Sequence, residues 1–146
     1  MAPREFLAGR PRAFVVVGSE PQLVIQVLLA VRTFSRSARL VVASPGHHAL
    51  TQCRLASRVV EQRFDGSDDD HVVRLVNHWA RTREQVTVIG VDCPAARMLH
   101  RIGERLHAAI APLPDPEVLD RFDDKWAFQQ YCLAQGLPVP ESMLVP

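Results

Sequence analysis

The chemistry this chain can offer starts with a lysine. Of 17 basic residues, Lys125 is the only lysine and all the others are arginine. A guanidinium is a planar, permanently charged fork, whereas an ammonium is a compact point charge on a flexible stem. The latter shape suits a phosphate oxygen that must be reached at the end of a cleft. A coding bias toward arginine explains the count more simply, so the residue has to be weighed in its context.

Other reactive side chains are thinly spread. Cys53, Cys93 and Cys132 are far apart and form no CxxC pair, so neither a zinc site nor a disulfide framework is expected. His47, His48 and Cys53 lack a fourth ligand at useful spacing, and no metal is expected there. Cys93 follows Asp92 at a helix start, where a thiol can be activated, but a small buried cysteine is the commoner case. The acidic triplet Asp68–Asp70 would suit Mg²⁺ or Ca²⁺. Negative charge on the positive end of a helix accounts for it without a ligand, and that reading is adopted. No GxGxxG, GxxxxGK[ST] or GxSxG motif occurs, which disfavours a classical dinucleotide domain, a P-loop enzyme and a serine hydrolase. No catalytic residue is assigned on these grounds.

Composition narrows the class further. The 146 residues are 47% hydrophobic and 23% charged, as in an ordinary globular domain. A net charge of +1 and 6% aromatic residues provide no basic, aromatic-lined surface, so a nucleic-acid partner is not expected. The longest apolar run, Leu23 to Val31, is too short to span a bilayer and contains Gln26. The first residues lack a signal-peptide core. No membrane association is expected, and the default location is cytoplasmic, with reduced thiols.

The elements that must position any site alternate between β-branched runs and helical patterns. Ala13–Gly18 ("AFVVVG") is a continuous apolar run, as expected of a strand buried on both faces. Ser19–Gln22 ("SEPQ") has the form of a capping box, and the helix it opens, running to about Phe34, is apolar nearly all round and expected to be well buried. Further strands are expected at Arg39–Ser44, Arg58–Phe64 and Val86–Val91, with a short fifth in His107–Pro114; the third should lie nearer a sheet edge. Ser67 should cap a helix carrying Val72, Val76 and Trp79 on one face. Asp92 should cap another, carrying Met98, Leu99, Ile102 and Leu106, with Gly103 allowing close approach to the sheet.

Strands alternating with helices imply right-handed βαβ units. The expected fold is α/β: an open, Rossmann-like parallel sheet with helices on both faces, spanning residues 1–114. Residues 115–146 form a helical extension, with helices starting at Asp115 and Asp123 and a C-cap at Gly136. With the first strand internal, its carboxyl end lies beside that of the fourth. This topological switch point is the usual ligand crevice of an open α/β sheet. Ser19, Glu20 and Asp92 stand there as candidate substrate-binding residues.

The segment "LDRFDDKWAFQQYCLAQGLPVPES" resembles the start of the ATP-grasp fold. Members of that superfamily carry a DK-containing helix and then a G-(I/L)-P-x-P turn, matched in order and spacing by Asp124-Lys125, Gly136-Leu137-Pro138 and Pro140. "LASRVVEQRF" and "LPDPEVLDRFDDK" are similar to parts of the domain that precedes ATP-grasp in carboxylate–amine ligases. The resemblance implies that Lys125 reaches the nucleotide phosphates. It also implies ATP and Mg²⁺ as cofactors of the full-length protein, a carboxylate and an amine as substrates, and an acyl phosphate between them.

The chain stops at Pro146, before the glycine-rich lid and the acidic and Asn metal ligands of the family. As a fragment it is expected to be inactive by itself and to hold neither cofactor. Its last residues, Leu137–Pro146, should expose Val139, Met143, Leu144 and Val145. They are expected to pack on the chain or on a second copy, giving a homodimer in which the Asp123–Gly136 helix is exchanged. The competing readings are a non-catalytic Rossmann- or flavodoxin-like small-molecule binding module and a plain structural domain.

Overall fold

Branched side chains crowd a helix and suit a pleated surface, and the runs that hold them become the strands. In the computed structural model these are β1 (Arg12–Gly18), β2 (Ala38–Ala43), β3 (Ala56–Glu61), β4 (Gln85–Gly90) and β5 (Ala109–Ile110). The structure describes residues 12–33, 38–46, 48–81 and 85–140. All five strands are parallel, in the order β3-β2-β1-β4-β5, so β1 is central and β3 and β5 are the edges. This is a Rossmann-like open α/β sheet. The chain divides into two compact units, Met1–Leu113 and Pro114–Pro146.

Alternation along the strands serves two cores. Val15 and Val17 of β1, Leu40 and Val42 of β2 and Val86 and Val88 of β4 bury against α3 (Asp69–Arg81) and α4 (Cys93–Ile102). Val16 and Val41 point to the other face, with Val24 and Leu28 of α1 (Pro21–Val31) and Leu50 of the single turn α2 (His48–Thr51). Helices therefore cover both faces, and an uninterrupted valine run suits a strand with no solvated side.

Three helix starts differ from expectation. Ser19 is not a cap: Glu20 is the N-cap of α1, and its side chain makes no capping bond. The reason is a competing acceptor, Asp92, which takes the Ser19 hydroxyl. Ser67 does not cap α3 either; its N–H and hydroxyl both donate to Asp65 Oδ1, at 2.9 and 2.6 Å, and α3 begins at Asp69. The last helix starts not at Asp123 but after Asp124, whose Oδ1 accepts from Trp126 N and Ala127 N.

Nor is α1 buried all round. Only Val24, Leu28 and Val31 are buried, while Leu23 and Leu29 are 40% and 52% exposed. A helix lying on one sheet face buries one stripe, whatever its composition. Gly103 opens a 3₁₀ turn continuing α4, and a Cβ there would lie 3.2 Å from Ile110 Cδ1, so the close approach is to β5.

The second unit holds α5 (Pro116–Asp123) and α6 (Lys125–Ala134). Gly136, at φ +69°, ends α6: Leu137 N donates to Cys132 O and Gly136 N to Leu133 O, the two bonds of a Schellman motif. Gln129 Nε2 donates to Pro140 O and holds the following segment against α6, where Val139 is half-buried rather than exposed. Met143, Leu144 and Val145 lie outside the described residues. Among the described residues no helix is long and apolar enough to cross a membrane.

Candidate functional site

The neighbouring strands β1 and β4 both finish in glycine. A Cβ on Gly18 would lie 2.2 Å from Val91 Cγ2 and 2.7 Å from Val24 Cγ2; one on Gly90 would lie 2.9 Å from Leu99 Cδ1. Without side chains at these two points, α1 and α4 start close to the strand ends.

Asp92 occupies the gap. Its Oδ2 accepts from Ser19 N at 2.6 Å, Ser19 Oγ at 3.0 Å and Glu20 N at 2.9 Å, and its Oδ1 accepts from Ala95 N at 3.0 Å. One carboxylate thus caps α4 and satisfies N–H groups entering α1. The positive ends of two helices attract an anion, and here the protein supplies its own. The three candidates Ser19, Glu20 and Asp92 do come together. Their mutual bonds hold the turn, and Asp92 is already engaged as an acceptor.

Two further polar residues extend this site along the sheet. Val17 pairs with Val42, Val42 with Val60, and Val17 with Gly90. Two residues further on, just past the ends of β3, β2, β1 and β4, the same row continues as Gln62, Ser44, Ser19 and Asp92. The ladder does reach that far: Gln62 N donates to Ala43 O and Val91 N to Val17 O. Val60 and Phe64 pack on the α3–α4 side, so alternation puts Gln62 on that side as well.

Gln62 is only 9% exposed, and its Oε1 is buried without a hydrogen-bond partner. An orphaned buried acceptor costs about 1–3 kcal/mol. Sequence reading passed over both Gln62 and Ser44. The available signal was a glutamine in "RVVEQRF" at a position whose alternation calls for an apolar side chain.

The remaining candidates scatter. Asp68 Oδ2 accepts from Arg63 N at 3.0 Å, and Asp69 pairs with Arg101 through Nε at 2.9 Å and Nη2 at 3.1 Å. Asp70 pairs with Arg105. The triplet therefore ties α3 to the loop before it and to α4 and the turn beyond. The Arg105 guanidinium holds the Asp70 carboxyl below the usual aspartate range, first by its hydrogen bond and then by its charge. Asp69 in turn raises the pKa of Arg101, chiefly through their hydrogen bonds.

Cys93 is half-buried at the first position of α4. Cys53 is half-buried and His47 lies outside the described residues. Among the described residues no three His, Cys, Asp or Glu side chains gather to hold a metal ion.

Lys125 belongs to the second unit, exposed at the first position of α6. A cation there opposes the helix dipole, and Asp124 already accepts the neighbouring N–H groups. Lys125 can therefore meet an anion only as a point charge. Neither a scan against protein-family models nor a search of curated proteins returns a match to this chain.

Proposed function

We propose that this chain is the N-terminal, pre-ATP-grasp domain of an ADP-forming ligase that joins a carboxylate to an amine through an acyl phosphate. The observation that carries the reading is Lys125. The chain's single lysine is exposed at the first position of a helix, where the dipole disfavours it by a few tenths of a kcal/mol. A compact ammonium exposed at that place suits a nucleotide phosphate. The geometry that follows is consistent with it: α6 ends at Gly136 and leads into Leu137-Pro138-Val139-Pro140.

In this reading the α/β unit holds substrate near Ser19 and Glu20, and Lys125 contributes one contact to ATP. The described residues fit that contact and supply no cluster for Mg²⁺. The metal and the chemistry at the transferred phosphate belong to residues elsewhere in the full-length protein. Cys53, Cys93 and Cys132 form no disulfide, which accords with a cytoplasmic setting.

The test uses Mg·ATP. Calorimetry on this chain should detect no saturable binding. In the full-length ligase, Lys125→Ala should impair nucleotide binding, and Lys125→Arg should not fully restore it. Micromolar binding to the chain alone, or unchanged nucleotide binding in both variants, would overturn the reading. A second reading, a non-catalytic small-molecule binding module, is favoured by one observation: the α/β unit carries a buried acceptor without a partner, Gln62 Oε1.

A further inference from the structure

We propose that the row Gln62–Ser44–Ser19–Asp92 is a recognition strip for an N–H donor, a neutral amide or a protonated amine, and that it rejects anions. Assigning the strip to the amine substrate rests on the ligase reading; the binding chemistry itself does not.

Two observations carry the choice of ligand. The place an anion would take, against the amides leading into α1 and α4, is filled by the Asp92 carboxylate through its four accepted bonds. A phosphate or carboxylate arriving there meets a fixed negative charge rather than a row of open N–H groups. At the other end of the row stands an acceptor with nothing to accept, Gln62 Oε1. A buried carbonyl oxygen is completed only by a donor.

The intervening residues suit the same ligand. Ser44 is half-buried between Gln62 and Ser19, and a hydroxyl can either donate or accept. Glu20, exposed next to Ser19 after the end of β1, adds negative charge near it.

The experiment records backbone and side-chain amide shifts of the 146-residue chain by NMR. Ethylammonium, acetamide, inorganic phosphate and acetate are titrated in turn. Ethylammonium and acetamide should shift Ser19, Ser44 and Gln62 saturably, and phosphate and acetate should not. Gln62→Leu, which removes the unpaired acceptor at similar volume, should weaken that binding about tenfold, the value of one hydrogen bond of about 1.4 kcal/mol. The same variant should melt at a higher temperature, since it no longer buries an unpaired oxygen.

Phosphate shifting the strip, or neither amine nor amide doing so, would overturn the proposal. So would a lower melting temperature for Gln62→Leu, which would mean the amide is a structural partner. These outcomes leave the ligase reading untouched, because that is judged on Lys125 and nucleotide. Amine or amide binding on the strip with no nucleotide role for Lys125 would instead keep the strip and favour the stand-alone module.

Discussion

Ser19 Oγ donates to Asp92 Oδ2 at 3.0 Å across 73 residues of sequence. The bond joins the turn after the central strand to the cap of α4, and the same carboxylate oxygen also accepts two backbone N–H groups.

Replacing Asp92 therefore strikes two elements at once. Asp92→Ala should destabilise by about 2–4 kcal/mol, from a lost N-cap and unsatisfied donors at Ser19 and Glu20. Asp92→Asn should lie between, since it keeps one acceptor oxygen but turns an NH₂ toward N–H groups. Urea denaturation of the two variants measures this, and an Asp92→Ala loss below about 1 kcal/mol would contradict the latch.

Gly18 is held by space rather than by backbone conformation. A methyl group there lands 2.2 Å from Val91 Cγ2, so Gly18→Ala should cost about 3 kcal/mol or more through overpacking. At Gly136 the conformation is the constraint. Nothing lies within 4 Å of its would-be Cβ, but φ is +69°, and Gly136→Ala should cost about 1–2 kcal/mol. Chemical denaturation of the two variants measures this, and a loss near zero at either position would remove the constraint argued for it.

Asn77 is 7% exposed and clamps the turn before β5: Nδ2 donates to Arg105 O at 2.9 Å and Oδ1 accepts from His107 N at 2.7 Å. Asn77→Leu leaves both backbone groups unpaired and should cost about 2–4 kcal/mol. Hydrogen exchange should accelerate at His107 in that variant; unchanged exchange would show that the clamp is idle.

Two carboxyls should titrate low. Asp65 is held below its usual value by the Ser67 hydroxyl and then the Ser67 N–H, and Asp70 by Arg105. Each has a folded pKa below its unfolded one. Each therefore contributes stability above the usual aspartate pKa, and that contribution fades as pH falls through the folded value. Carboxyl NMR should find both midpoints below ordinary aspartate, and Arg105→Gln should move Asp70 back while leaving Asp65 unchanged. An Asp70 midpoint that ignores Arg105→Gln would remove the pair as the cause.

The sequence by itself determined the strands and their parallel arrangement. "AFVVVG" and "VTVIGV" cannot satisfy a solvated face, so they had to be interior, and the helical stretches between them imposed crossovers. Asp92 as a cap was equally legible, because capping reads three residues ahead along one chain. Only the tertiary structure decided what polar side chains do at long range. Ser19 leaves its capping box for an acceptor 73 residues away, and Asp69 and Asp70 find arginines beyond α3. Alternation along its own strand already puts Gln62 on the covered face, but whether its Oε1 meets a partner there depends on what the rest of the fold packs against it. Local pattern fixes the period of an element; the partner that each polar atom meets depends on strand register and helix placement, which no single segment contains.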